Sequence, residues 1–377
     1  MVEYVSLASS EGEGHFIRSE LGGLLESEAI IFDLDGTLVD SRMSLDESML
    51  ASVKTIFAAM SRQMVPRERL EKASFDLRKT GGFNNPLDVA FSLTLALATS
   101  LDDSCILNLA ELMDQGPVGI ADILSKRVSD CSPRDLETCM AEVIQYADER
   151  GVQSIIEGID RLYGGKKKRE ALRKLRDALK YPGGAHESII PAVFDSFFLG
   201  ARKYRDVHGS KPPLEFNVGL SNNEREIMKS DTANFVKRRF PGGVGLATGR
   251  PKYAADKVLP KYISELIAEG AATYFDDVLE EGKRRTVAGD STYPGKPDPF
   301  SLKHAAAGLK PGRGLIYVGD STEDMLMARR MEGYGKDVHF IGVYRYNMEP
   351  RVMENIFIEM GASAVLPTVN QLRDVLS

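Results

Sequence analysis

The segment Asp33-Leu-Asp35-Gly36-Thr37 sets two carboxylates two residues apart, just past the apolar run Ala29-Ile-Ile-Phe32. One such carboxylate can attack as a nucleophile, as an aspartate does when it becomes an aspartyl-phosphate. The other can give a proton to a leaving group and later take one from water. Taken alone, the segment is also compatible with an Asx-rich turn. Three more segments have this double character. In Leu246-Ala-Thr248-Gly249-Arg250-Pro251, the Thr248 hydroxyl and the amides after it can hold phosphoryl oxygens, or Thr248 can be the N-cap of a helix that Pro251 begins. In Tyr293-Pro-Gly-Lys296-Pro-Asp-Pro299, a lysine bracketed by glycine and prolines can neutralise carboxylates and bind a phosphoryl oxygen; a tight exposed loop is the alternative. In Gly319-Asp320-Ser-Thr-Glu323-Asp324, two aspartates four apart share one face of a first helical turn. A hard cation such as Mg²⁺ takes a few carboxylate oxygens and keeps water and phosphate oxygens as its other ligands. Acidic capping of the helix explains Glu323 well and the aspartate pair less well.

Each of these segments lies at the carboxyl end of a short apolar run of the kind that forms a buried parallel strand, or in the loop that follows one. The runs are 28–33, 244–247, 314–318 and 339–343, with Tyr274-Phe275 a weaker fifth. Helical patterns lie between them at 251–267, 299–307, 323–331 and 350–360. Alternation of this sort predicts an α/β fold with a Rossmann-like doubly wound parallel sheet, whose ligands bind at the carboxyl ends of the strands. After the first strand about 200 residues pass before the next, far more than one crossover needs. That interval carries helix-like stretches at 48–60, 88–101, 135–163, 169–179 and 188–204 and no alternating strand pattern. We read it as an all-helical domain inserted at 43–222, with the sheet domain built from 28–42 and 223–377 and a loosely attached extension at 1–27.

The order D-x-D-G-T, T-G after a strand, G-K-P-x-P and G-D-x-x-x-D resembles the haloacid dehalogenase superfamily over the whole sheet domain. The resemblance implies phosphoryl transfer assisted by Mg²⁺, with Asp33 as nucleophile and Asp35 as general acid and base. It implies that Thr248, Gly249 and Lys296 bind the phosphoryl group beside Asp33. Asp33, Asp35 and Asp320 stand as metal ligands, and Asp324 as a ligand or a support for one. Asp35 separates this chain from the dehalogenases, which lack the second aspartate, and from the pump ATPases, which read D-K-T-G-T. Phosphonate-cleaving relatives usually replace that aspartate as well. Phosphatase and phosphomutase both retain it and both stay open. A binding-only relative would commonly have lost Asp33, Asp35 or Lys296, and all three are present. An insert directly after the first motif is similar to the family's helical caps, which select small phosphorylated substrates.

Within the insert, Gly82-Phe83-Asn84-Asn85 before an apolar helix is a candidate specificity loop, or else a helix connection with an asparagine N-cap. Arg250, next to the second motif, is a candidate specificity residue. The basic cluster 166–176 is interrupted by Glu170 and followed by Asp177, which suits a solvated helix face. With a net charge of -7, no affinity for nucleic acid is expected. The most apolar stretch, 87–101, is too short and polar for a membrane span, and the first residues have no signal-peptide pattern. Cys105, Cys131 and Cys139 form no C-x-x-C, so three reduced thiols in a cytoplasmic protein are the expectation, a single disulfide remaining compatible. The expected partner is a small phosphorylated metabolite, and the oligomeric state is open.

Overall fold

Ala29-Ile-Ile-Phe32 is apolar throughout because it is buried on both faces: it is strand β3 (Ala29–Phe32), paired in parallel with β6 (Gly243–Ala247) and β8 (Leu315–Gly319). This is seen in a computed structural model, which describes residues 4–7, 15–18, 22–61, 63–114, 131, 133–259, 261–290, 292–310, 312–332 and 337–377. The sheet runs β1 (Tyr4–Leu7), β2 (His15–Arg18), β10, β9, β8, β3, β6 and β7, the six strands from β10 to β7 being parallel. Here β7 is Ile267–Thr273, β9 Val338–Val343 and β10 Ala364–Leu366. Ile30, Phe32, Leu246, Ile316, Val318, Ile341 and Leu366 form one core with Val236 and Leu372 from helices. The doubly wound α/β sheet read from the sequence is therefore the fold.

Two readings of this sheet are corrected. Within the stretch read as a loose extension, the described residues include β1 (Tyr4–Leu7) and β2 (His15–Arg18), which continue the sheet antiparallel beside β10. The Tyr4 hydroxyl also donates to the Ala362 carbonyl at 2.7 Å. The fifth strand is Ile267–Thr273 rather than Tyr274-Phe275, and the helix expected to reach Ile267 stops earlier, as Lys252–Val258 and Lys261–Ser264. Its sequence, IAEGAAT, lacks the β-branched run that marks a strand, and pairing along β6 holds it extended. Tyr274 instead N-caps the helix Phe275–Val287, Asp277 accepting its backbone N–H at 2.8 Å.

Contacts divide the chain into two units, Met1–Arg42 with Glu224–Ser377, and Met43–Asn223. In the first, β4 (Val39–Asp40) and β5 (Arg225–Glu226), which flank the helical segment in the chain, pair antiparallel.

The second unit is helical. Its centre is Pro86–Ala98, where every residue from Val89 to Ala98 is buried. It packs against Glu47–Ser61, Arg67–Arg78, Leu136–Ile144 and Ile189–His208. One predicted helix, 135–163, is two, Leu136–Ile144 and Val152–Leu162, because Gly151 takes φ 63° before the second. Helix Lys167–Ala178 buries Ala171, Leu172, Leu175 and Ala178 and exposes most of its basic residues, as a solvated face, although Lys168 is half-buried and donates to the Leu101 carbonyl. Cys105 and Cys131 are joined in a disulfide, Cα–Cα 6.0 Å, and only Cys139 is a free thiol, which corrects the expectation of three reduced cysteines. The two residues come within bridging distance although 26 positions apart, a proximity the sequence does not carry.

The Gly82–Asn85 loop is built for packing. A Cβ on Gly82 would lie 2.4 Å from the Asp148 carbonyl and 2.6 Å from the Gly151 nitrogen. Phe83 is fully buried, so it is not displayed toward a ligand as a specificity loop requires. Asn85 N-caps Pro86–Ala98 by accepting the Leu87 N–H at 2.9 Å. Asn84 is half-buried. Phe83→Ala should cost about 3–5 kcal/mol of stability. Urea unfolding checks this; a variant as stable as wild type but altered in ligand preference would restore the specificity reading.

Candidate active site

The parallel register aligns Phe32 with Leu246 on one side and Val318 on the other. Asp33, Thr248 and Asp320 consequently leave neighbouring strands within two residues of the same row, at the carboxyl edge of the sheet. The Asp33 amide donates to the Val318 carbonyl at 2.8 Å, fixing the first of them. Gly36 is required in the turn that follows, since it takes φ 70° and a Cβ there would come 2.0 Å from Asp320 Oδ2.

Lys296 reaches this edge from the loop between helices Phe275–Val287 and Phe300–Ala307. Its Nζ lies 2.5 Å from Asp33 Oδ1 and 2.7 Å from Asp324 Oδ1, with all three side chains buried. The loop is braced from behind. Arg285 donates twice to Asp298 at 2.9 Å and once to Glu281 at 3.0 Å, while Asp298 accepts the Phe300 N–H at 2.9 Å.

Asp324 stands in the first turn of helix Thr322–Glu332 with both oxygens occupied by protein donors. Tyr317 Oη donates to Oδ1 at 2.5 Å; Ser321 Oγ and N donate to Oδ2 at 2.6 and 3.2 Å. Asp33, Asp320 and Asp324 bring ligand atoms within 4.8 Å of one another, the one such group of three or more acidic, histidine or cysteine residues among the described residues. Three carboxylates therefore face one lysine, an excess of negative charge that suits a divalent cation, and carboxylate oxygens are the ligands Mg²⁺ prefers. Burial pushes Asp33 up to about 7, aided by Asp324 and Asp35 and opposed by Lys296. Burial, then Asp33 and Asp324, pushes Asp320 well above the carboxylate range. Burial works against the charge on Lys296, yet Asp324 and Asp33 hold it well above the usual ammonium range.

Two of the predicted residues are placed elsewhere. Asp35 is outside the acidic group, because Arg250 holds its carboxylate with contacts of 2.8–2.9 Å from Nε and 2.5 Å from Nη2. Arg250 for its part is occupied by carboxylates of this chain, Asp35 and Glu224, instead of being open to a substrate. Thr248 is buried and accepts the Arg250 N–H at 3.1 Å, so it shapes the turn, while Gly249 is exposed. Sequence reasoning missed Glu224, Tyr317, Ser321 and Asn347, whose Nδ2 donates to the Asp320 carbonyl at 3.3 Å. Ser321 alone had a signal, its place inside the fourth motif. Among the described residues, no helix is long and apolar enough to cross a membrane.

No family model matches the sequence, and no curated protein matches it significantly. Solved structures do. An X-ray structure of a Northeast Structural Genomics Consortium target is 20% identical, with a TM-score of 0.57 covering 93% of this chain and 98% of that one. A Bacteroides fragilis protein described as a candidate haloacid dehalogenase-like hydrolase is 14% identical, with a TM-score of 0.41 covering 92% of this chain and 100% of that one. A hydrolase from Pseudomonas syringae is 16% identical, with a TM-score of 0.38 covering 93% and 97%. The first likeness shows a shared fold. That doubly wound fold carries the four sequence motifs in order along it.

Proposed function

We propose that the chain is a Mg²⁺-dependent phosphohydrolase that cleaves a small phosphomonoester through an aspartyl-phosphate on Asp33. The observation that carries this reading is the buried Asp33 carboxylate, 2.5 Å from the Lys296 ammonium and grouped with Asp320. Asp33 attacks phosphorus, and the ester P–O bond breaks as Asp35 gives its proton to the departing oxygen. Asp35 then takes a proton from water as the water attacks the phosphoryl group, releasing inorganic phosphate and restoring both carboxylates. Lys296 neutralises charge on Asp33 and on a transferring phosphoryl oxygen, with Thr248 and the Gly249 amide as further donors. Asp33 and Asp320 would hold Mg²⁺, which supplies charge neutralisation to the phosphoryl group. Asp324 keeps Lys296 and Ser321 in place, since its own oxygens are filled.

The metal assignment has its own test. Activity on a panel of phosphorylated metabolites should vanish with excess chelator and return with Mg²⁺ or Mn²⁺, but poorly with Ca²⁺, which takes more ligands in looser geometry. Mg²⁺ without substrate should also stabilise the fold, by about 2.7 kcal/mol at a hundred times its Kd. Full turnover in chelator would end the assignment of Asp320.

A further inference from the structure

The guanidinium of Arg250 is nearly buried and lies between two carboxylates, Asp35 and Glu224. Four of its N–H bonds are spoken for: Nε and one from Nη2 go to Asp35, while Nη1 and one from Nη2 go to Glu224 at 3.1 and 2.8 Å. An arginine has five, so no pair is left for a forked contact with a substrate phosphate. Its backbone is pinned too, the N–H by Thr248 Oγ1 at 3.1 Å and the carbonyl by the Phe275 N–H at 2.9 Å. A side chain fixed at both ends has one remaining action, to fix what it holds.

We infer that Arg250 is a positioning residue for Asp35, locked in turn by Glu224, and that it sets the direction in which Asp35 exchanges a proton. This rests on the reading of Asp35 as the proton donor and acceptor. Asp35 is the least enclosed member of the trio, its side chain 27% exposed against 6% for Arg250 and 4% for Glu224. Without a partner its carboxylate would turn among rotamers, and proton transfer demands hydrogen-bond reach in a defined direction. The planar fork of arginine grips both oxygens of Asp35 and leaves the lone pairs on their outer side for the leaving group or water. Lysine, a point charge with no fork, would hold the group without orienting it. Glu224 begins the second stretch of this unit, directly after the turn Leu220–Asn223. The lock therefore joins the first motif, the second motif and the chain entering the second stretch.

The test compares an alkyl phosphomonoester, whose leaving group needs a proton, with 4-nitrophenyl phosphate, whose leaving group does not. Arg250→Ala should lose about 10²-fold in kcat on the alkyl ester. Its nitrophenolate burst should fall only a few-fold, and KM should stay within about threefold on both. Added guanidinium should restore about tenfold of the alkyl activity, Arg250→Lys should behave like the alanine variant, and Glu224→Gln should show the same alkyl-selective loss to a smaller extent. Should Arg250→Ala fail to fold by circular dichroism, the lysine and Glu224→Gln variants carry the comparison. Equal losses on both substrates would make Arg250 merely structural, and a raised KM with kcat intact would make it a substrate ligand; either overturns the inference. Asp35→Asn, run alongside, separates the two levels. If it shows no alkyl-selective loss, the reading of Asp35 itself has failed; if it does and the Arg250 and Glu224 variants do not, only the positioning inference has.

Discussion

Asp33→Asn should reduce turnover to background without unfolding the protein. The amide matches the carboxylate in shape but cannot form an acyl-phosphate, so the route through a phosphoryl-enzyme closes completely. The fold should persist because the substitution relieves as much as it removes. Asp33 gives up its charge pair with Lys296 but also stops repelling Asp320 and Asp324, and its burial already disfavours the charge. A melting temperature within a few degrees of wild type is the expected result. Asp35→Asn tests the same chemistry from its other end. It keeps the nucleophile and loses proton transfer, a contribution typically of about 10²–10⁴-fold. With 4-nitrophenyl phosphate the first step then outruns the second, and the variant should accumulate one covalent phosphoryl group on Asp33, read by intact mass and peptide mapping. Label on a serine or histidine, or robust turnover with no label under any condition, would remove Asp33 from the nucleophile's role and favour direct attack by water.

The sheet and the acidic group were legible for the same reason: a short, doubly buried apolar run that stops at aspartate is read directly from residue types. Asp33, Asp320 and Asp324, written at the ends of two such runs, do come together. What was not legible depends on neighbours that local pattern does not encode. Strand Ile267–Thr273 is made of residues with little strand preference and is extended because β6 pairs with it. Strand Ala364–Leu366 has three residues, too few for a period to show. Phe83 looked like a loop aromatic, whereas its ring is interior. Tyr317 sits in an apolar strand and reads as core, yet its hydroxyl is what fixes one oxygen of Asp324. Arg250 lies 215 positions from Asp35, and nothing in spacing pairs them or adds Glu224.

Lys296→Met should cost both stability and catalysis, and the two losses should respond to Mg²⁺ in different ways. Methionine fits the space of the lysine stem but leaves Asp33 and Asp324 buried with no cation between them, next to Asp320. Removing one partner of a buried ion pair costs about 3–5 kcal/mol, because the charge left behind is neither solvated nor compensated. Part of that should return when Mg²⁺ is added, since a cation at the acidic group replaces the missing positive charge. Catalysis should not return. The ammonium neutralises the nucleophile and a phosphoryl oxygen at the moment of transfer, and losing one such preorganised donor typically lowers kcat about 10²–10³-fold. Lys296→Arg should rescue little, because the position is 6% exposed and flanked by Pro297, leaving no room for a planar fork. Denaturant unfolding with and without Mg²⁺, beside kcat on 4-nitrophenyl phosphate, reads both effects. A Lys296→Met protein within a few-fold of wild-type kcat would show that its charge braces the carboxylates without taking part in phosphoryl transfer.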